Sequence, residues 1–233
     1  MSTPSKTICV LGMHRSGTSC LAGTLQQAGV SLGEVFTRNR FNAKGNREHA
    51  RIRQLHQHLL LDNGGHWYRP PDRVLWHDHH RAERDAIIRT FAGHPCWGFK
   101  DPRSLLTLDG WLEALPDMQL AGIVRHPYAV AVSLNARPNG PTLEEGLALW
   151  AVYNRRLLER YRRSPFPIVS FDLPDDLFRD KLASMASALG LAVAAGQLDF
   201  FEPQLRHGGP RWEISALRGD VETIYRSLLA VLL

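Results

Sequence analysis

The chain has 233 residues, a formal net charge of +5, 44% apolar residues and 22% charged ones. This excludes a disordered chain, and no apolar run approaches the roughly 20 residues that cross a bilayer. Three cysteines (Cys9, Cys20, Cys96) without paired spacing argue against a disulfide framework or a zinc cluster and predict a reducing, cytoplasmic setting. Residues 1–7 lack a basic segment followed by an apolar core, so no signal peptide is expected.

Thr7 to Gly12 is a short apolar, partly β-branched run and reads as a buried strand. Ser19 to Ala28 carries Leu21 and Leu25 at helical spacing, with Gly29 as its stop. Residues 30–46 read as loop. Arg47 to Leu61 reads as a helix with Ile52, Leu55, Leu59 and Leu60 on one side, ended by Asn63-Gly-Gly65. Residues 64–80 look irregular, and a short helix is predicted over 81–91. Cys96 to Phe99 is a brief strand, Ser104 to Leu115 a helix and Leu120 to Val124 a strand. Pro127 to Ala136 opens with proline at a first helical position. Thr142 caps a long helix reaching about Arg163, with Glu144 and Glu145 favourably near its start. Pro167 to Phe171 is a fourth strand. A helix follows from Pro174 or Asp175 to near Gly190, and a last one begins about Ile214. This alternation predicts a single α/β domain over residues 1–233, with a central parallel sheet covered by helices on both faces. Ligands in such folds bind outside the carboxyl ends of the strands.

The cation excess is nearly all arginine, since Lys6, Lys44, Lys100 and Lys181 are the only lysines. Arginine grips phosphate or carboxylate bidentately, which points to an anionic ligand. A solvated basic surface is the plain alternative. The first strand is followed by Gly12-Met-His-Arg-Ser-Gly17-Thr-Ser19. Two glycines five positions apart between strand and helix frame a phosphate-cradling loop of the P-loop nucleotide-binding type. The triphosphatase version needs lysine after the second glycine, but Thr18 stands there and the cation is Arg15. Anion binding is therefore the better reading and ATP a weaker one.

Lys100, Asp101 and Arg103 follow the second strand. Lys100 suits an oxygen that gains charge during group transfer, and a surface salt bridge among the three is the alternative. Arg125 follows the third strand beside a helix start, with Ser133 eight positions on. A serine bonded to its own helix backbone is the alternative for Ser133.

These three runs together resemble the sulfotransferases that use 3′-phosphoadenosine 5′-phosphosulfate (PAPS). Gly12 to Ser19 resembles their 5′-phosphosulfate loop in its arginine variant, as in tyrosylprotein sulfotransferases. Val124-Arg-His-Pro with Ser133 resembles the 3′-phosphate motif, and Lys100-Asp-Pro-Arg103 the Lys-Asp-Pro segment. The likeness runs from about residue 7 to 140. It implies that the loop residues His14, Arg15, Ser16, Gly17, Thr18 and Ser19 hold the 5′-phosphosulfate, with Arg15 on the bridge and leaving phosphate. It implies that Arg125 and Ser133 bind the 3′-phosphate and that Lys100 stabilises the sulfonyl oxygens. It places Glu48 as base for the acceptor, with His14, His49 and His126 as other candidates. An acidic residue favoured in a helix first turn is the plain reading of Glu48.

The expected acceptor is a small molecule, a carbohydrate or a peptide, and the product nucleotide is adenosine 3′,5′-bisphosphate. No metal is expected. His77-Asp-His-His80 lacks zinc-site spacing and reads as a solvated loop. Arg206-His-Gly-Gly209 and Arg218-Gly219 do not match the family's C-terminal Arg-Lys-Gly segment. Trp67, Trp97, Trp150 and Trp212 are the aromatic candidates for an adenine contact, with plain packing the alternative for each. A P-loop kinase using ATP, an inactive nucleotide-binding relative and a nucleic-acid binder are the rival functions, the last lacking any recognisable module.

Overall fold

The computed structural model describes residues 5–38, 42–192, 198–205, 213–214 and 217–233. Four parallel strands, β1 (Lys6–Leu11), β2 (Cys96–Lys100), β3 (Gln119–Val124) and β4 (Ile168–Ser170), lie in the order β2-β1-β3-β4. Eight helices follow among the described residues: α1 (Thr18–Gln27), α2 (Ala50–Asp62), α3 (Asp78–Thr90), α4 (Ser104–Ala114), α5 (Pro127–Asn135), α6 (Leu143–Arg163), α7 (Asp175–Ala188) and α8 (Gly219–Leu229).

Side chains alternate across a strand, so β1 feeds two cores. Cys9 and Leu11 join α2 to α6 and α8 on one face, while Ile8 and Val10 join α1 and α7 on the other. Burial on both faces explains why the strands read as near-continuous apolar runs. The Thr142 cap forms as expected: its hydroxyl accepts from Glu145 N–H at 3.2 Å, and the Glu145 carboxylate accepts from Thr142 N–H at 2.8 Å.

Three boundaries differ from the sequence reading. Helix α2 begins at Ala50, so Glu48 precedes the N-cap His49 and is not a first-turn acid. Helix α3 begins at Asp78, which makes His77-Asp-His-His80 an N-cap and first turn instead of a solvated loop. A capping box built from His77 and His80 starts it, a signal that the usual Ser/Thr/Asp rule does not contain. Helix α8 starts at Gly219 instead of near Ile214. The segment from Arg206 to Gly209 and Trp212 lie outside the described residues.

Leaving β1 the chain moves to β2, whereas leaving β3 it moves to β4 on the far side. The carboxyl ends of β1 and β3 therefore flank a crevice, the switch point where such folds hold ligands.

Candidate active site

The loop after β1 departs from β1 at Gly12, where an added Cβ would lie 2.6 Å from the Ile123 carbonyl oxygen of the neighbouring strand. Arg15 has φ 67°, a left-handed conformation that a side-chain-bearing residue adopts at a cost of about 1–3 kcal/mol. Gly17, at φ 88°, is the N-cap of α1, and any Cβ there would strike the Phe171 ring. The loop is thus wound tightly, with the amino end of α1 at its exit. Ser16 is fully buried and its hydroxyl has no hydrogen-bond partner. The Ser19 hydroxyl donates to the Asn46 carbonyl at 3.0 Å, tying the Asn42–Glu48 segment to the start of α1.

Arg15 and Arg125 meet across the crevice. Arg125 Nη1 donates to the Arg15 carbonyl at 3.2 Å, and Arg15 Nε donates to Ser133 Oγ at 2.8 Å. Arg125 is aimed from behind: its Nε is 3.7 Å from Asp172 Oδ1 and its guanidinium lies over the Phe171 ring. Trp150 Nε1 donates to the Arg125 carbonyl, so this buried tryptophan holds the arginine's backbone and is not free to stack on a base. Trp97 is likewise buried, stacked on Phe91. Burial, then the charges of Arg137 and Arg125, push Arg15 down to about 10. Crowding three cations is unfavourable in the protein alone and becomes favourable when a polyanion sits among them. Arg137 was not singled out in the sequence; it stands two residues past the end of α5, and only the fold brings its charge to Arg15. Asp172 was missed as well; its signal was its place just past β4.

Glu48 and Lys100 form a second pair. Lys100 Nζ donates to Glu48 Oε1 at 2.8 Å, with side-chain exposures of 2% and 10%. The alternative of one surface bridge among Lys100, Asp101 and Arg103 does not form as a trio, since Lys100 takes Glu48 as its partner. Asp101 instead binds Arg103 at 2.8 Å and lies 3.3 Å from His56 Nδ1, all three buried or nearly so. Trp111 Nε1 donates to His56 Nε2, which leaves the ring proton on Nδ1, facing Asp101. Burial opposes the Arg103 charge, but Asp101 and Glu48 outweigh it and raise its pKa.

Of the three histidines considered as base, His14 packs against Trp67 at 4.5 Å and Tyr153 at 5.9 Å. Burial, followed by the Arg103 charge, pushes it well below the usual imidazole range. Burial pushes His126 down to about 4, and its Nδ1 accepts the capping bond from Tyr128 N–H. His49 is lowered chiefly by burial and caps α2 with its backbone only. Beside this cluster, Gln57, Leu60, His66, Trp67, Tyr68 and Arg103 line a cleft of about 240 Å³.

A parallel sheet with a glycine-framed loop at its switch point, arginines on adjacent strand ends and a buried Lys–Glu pair beside them defines a P-loop-type group-transfer enzyme. The Sulfotransferase family model matches residues 7–189, and the chain belongs to that family. It is a sulfotransferase. In fold it is similar to the sulfotransferase domain of the Synechococcus PCC 7002 olefin synthase, at 19% identity and TM-score 0.55, covering 100% of this chain and 90% of that one. It is also similar to the sulfotransferase domain from the curacin biosynthetic pathway, at 13% identity and TM-score 0.53, covering 90% of this chain and 82% of that one. No curated protein matches the sequence at a significant level. No helix among the described residues is long and apolar enough to cross a membrane.

Proposed function

We propose that the enzyme transfers a sulfonyl group from PAPS to an acceptor hydroxyl, releasing adenosine 3′,5′-bisphosphate. The observation that carries this is the link between Arg15 and Arg125 across the β1/β3 crevice, made by the Arg125 guanidinium to the Arg15 carbonyl, with Ser133 accepting from the Arg15 guanidinium. Two anionic groups of one nucleotide fit there: the 5′-phosphosulfate on the loop His14–Ser19 and the 3′-phosphate toward Arg125, Ser133 and Arg137. Backbone N–H groups at the amino end of α1 serve the 5′-phosphate. Ser16 Oγ, buried without a partner, is a further donor for that group.

In the transfer, the acceptor oxygen attacks sulfur as the bond from sulfur to the bridging oxygen breaks. Glu48 takes the acceptor's proton, and the electron pair of the broken bond stays on the departing phosphate. Arg15 offsets the charge growing on that phosphate, and Lys100 the charge on the sulfonyl oxygens. The 2.8 Å Lys100–Glu48 bond suits this division of labour, since it holds a cation and a proton acceptor at one point. As Lys100 turns to the sulfonyl group, Glu48 is released toward the acceptor. The aromatic cleft with Gln57 and Arg103 is the acceptor entrance on this reading, open to a small molecule, a carbohydrate or a peptide side chain. We read residues 1–233 as one such domain, working in the cytoplasm, where its cysteines stay reduced.

A thermal-shift comparison tests the reading. Adenosine 3′,5′-bisphosphate should raise the melting midpoint at concentrations where ATP with Mg²⁺ does not. A larger shift with ATP and Mg²⁺ favours a kinase and overturns the proposal.

A further inference from the structure

Asp62 is the last residue of α2, and His79 and His80 stand in the first turn of α3. Both imidazole Nε2 atoms converge on one oxygen, Asp62 Oδ2, His79 at 3.1 Å and His80 at 3.0 Å. The three ligand atoms all lie within 4.8 Å of one another. We propose that Asp62, His79 and His80 bind a divalent transition metal, with zinc the best match, and that the ion staples α2 to α3.

Zinc bonds nitrogen and carboxylate oxygen at about 2.0–2.2 Å, so adjacent ligands of a tetrahedral ion stand roughly 3.3 Å apart. The two N–O spacings here are close to that edge. Two imidazoles and a carboxylate suit zinc, nickel or copper and not magnesium or calcium, which take oxygen ligands. His80 is 2% exposed and fixed against the Trp76 ring, whereas His79 is 67% exposed and Asp62 46%. One ligand is therefore rigid while the other two leave an entry path and room for water.

His80 Nδ1 accepts from His77 N–H at 3.2 Å, which puts the ring proton on Nε2. Metal binding moves that proton to Nδ1 and gives up this one long capping bond. The reciprocal cap from the His80 N–H to the His77 side chain remains. Residues 63–77 lie between the two halves of the site and include His66, Trp67 and Tyr68 of the cleft, so the ion would brace that wall. The sequence hid this site because its carboxylate stands 17 residues before His79.

Calorimetric titration of the tag-free, chelator-treated protein with zinc tests the proposal. One equivalent should bind at micromolar zinc or below. Asp62→Asn and His79→Ala should each weaken binding about tenfold or more, while His94→Ala, at an exposed histidine beyond the end of α3, should leave it unchanged. Cobalt in place of zinc should show the visible bands of a tetrahedral ion, lost in His79→Ala. At a hundredfold excess of zinc over Kd, the midpoint should rise by about 5–10 °C. Absence of stoichiometric binding, or binding that survives His79→Ala, overturns the proposal.

Discussion

Lys100→Met breaks the Glu48–Lys100 pair from one side. The two side chains are 2% and 10% exposed and meet at 2.8 Å, so little water can replace the lost partner. Removing one member of a buried pair leaves an uncompensated charge and costs about 3–5 kcal/mol. Arg103 and Arg137 also lie within electrostatic reach of Glu48, which places the cost toward the lower end. In a chain of this length about 1 kcal/mol moves the midpoint by roughly 2–4 °C, so a loss of about 3 kcal/mol should lower it by roughly 6–12 °C. Glu48→Gln with Lys100→Met removes both charges at similar volume, an exchange that is commonly neutral or better. The double variant should regain most of the stability and stay inactive. Urea unfolding of wild type, both single variants and the double variant closes the cycle. Equal stability of wild type and Lys100→Met would refute the reasoning, as would a double variant that loses the sum of both single losses.

Glu48→Gln alone keeps a hydrogen-bond acceptor for Lys100 and should lower kcat by about 10²–10⁴-fold with little change in nucleotide affinity; steady-state kinetics with labelled PAPS decides it, and an active variant removes Glu48 as base. Arg15→Ala should lower kcat by about 10²–10³-fold, measured in the same assay, and an unchanged rate would take Arg15 off the leaving phosphate. Gly17→Ala meets both a left-handed φ of 88° and the Phe171 ring, so nucleotide binding should be lost in a thermal-shift assay; retained binding would show that the loop can rewind. His126 is held at about 4 against an ordinary 6.5, so the folded state resists protonation. Its stability contribution is present above about pH 6.5 and is lost as pH falls to about 4, at up to ~1.4 kcal/mol per pH unit. His126→Asn keeps an N-cap acceptor and should flatten urea-measured stability across that window, and an unchanged slope would contradict the shift.

The sheet and most helices were legible because burial on both faces leaves plain apolar runs, as in Thr7 to Leu11, and because the Thr142–Glu145 box and Pro127 mark helix starts chemically. Helix α3 was read late because histidines do its capping, a role no residue preference announces. At the site, the glycine frame and the residues just past each strand were readable from spacing alone. What spacing could not supply was pairing. Lys100 has Asp101 and Arg103 as its neighbours in sequence, yet its partner is Glu48, 52 residues away, brought there by the turn into α2. Asp172 and Arg137 escaped for the same reason, since each matters only through what the fold sets beside it. The aromatic candidates sort by burial: Trp97 and Trp150 are core, and Trp67, half-buried, closes over His14.

The central claim is that one nucleotide bridges Arg15 and Arg125. Calorimetry of wild type and Arg125→Ala with adenosine 3′,5′-bisphosphate and with adenosine 5′-monophosphate tests it most directly. Wild type should prefer the bisphosphate, and Arg125→Ala should lose that preference while its weaker affinity for the monophosphate stays the same. Equal binding of both nucleotides by wild type, or a preference that survives in Arg125→Ala, would contradict the account.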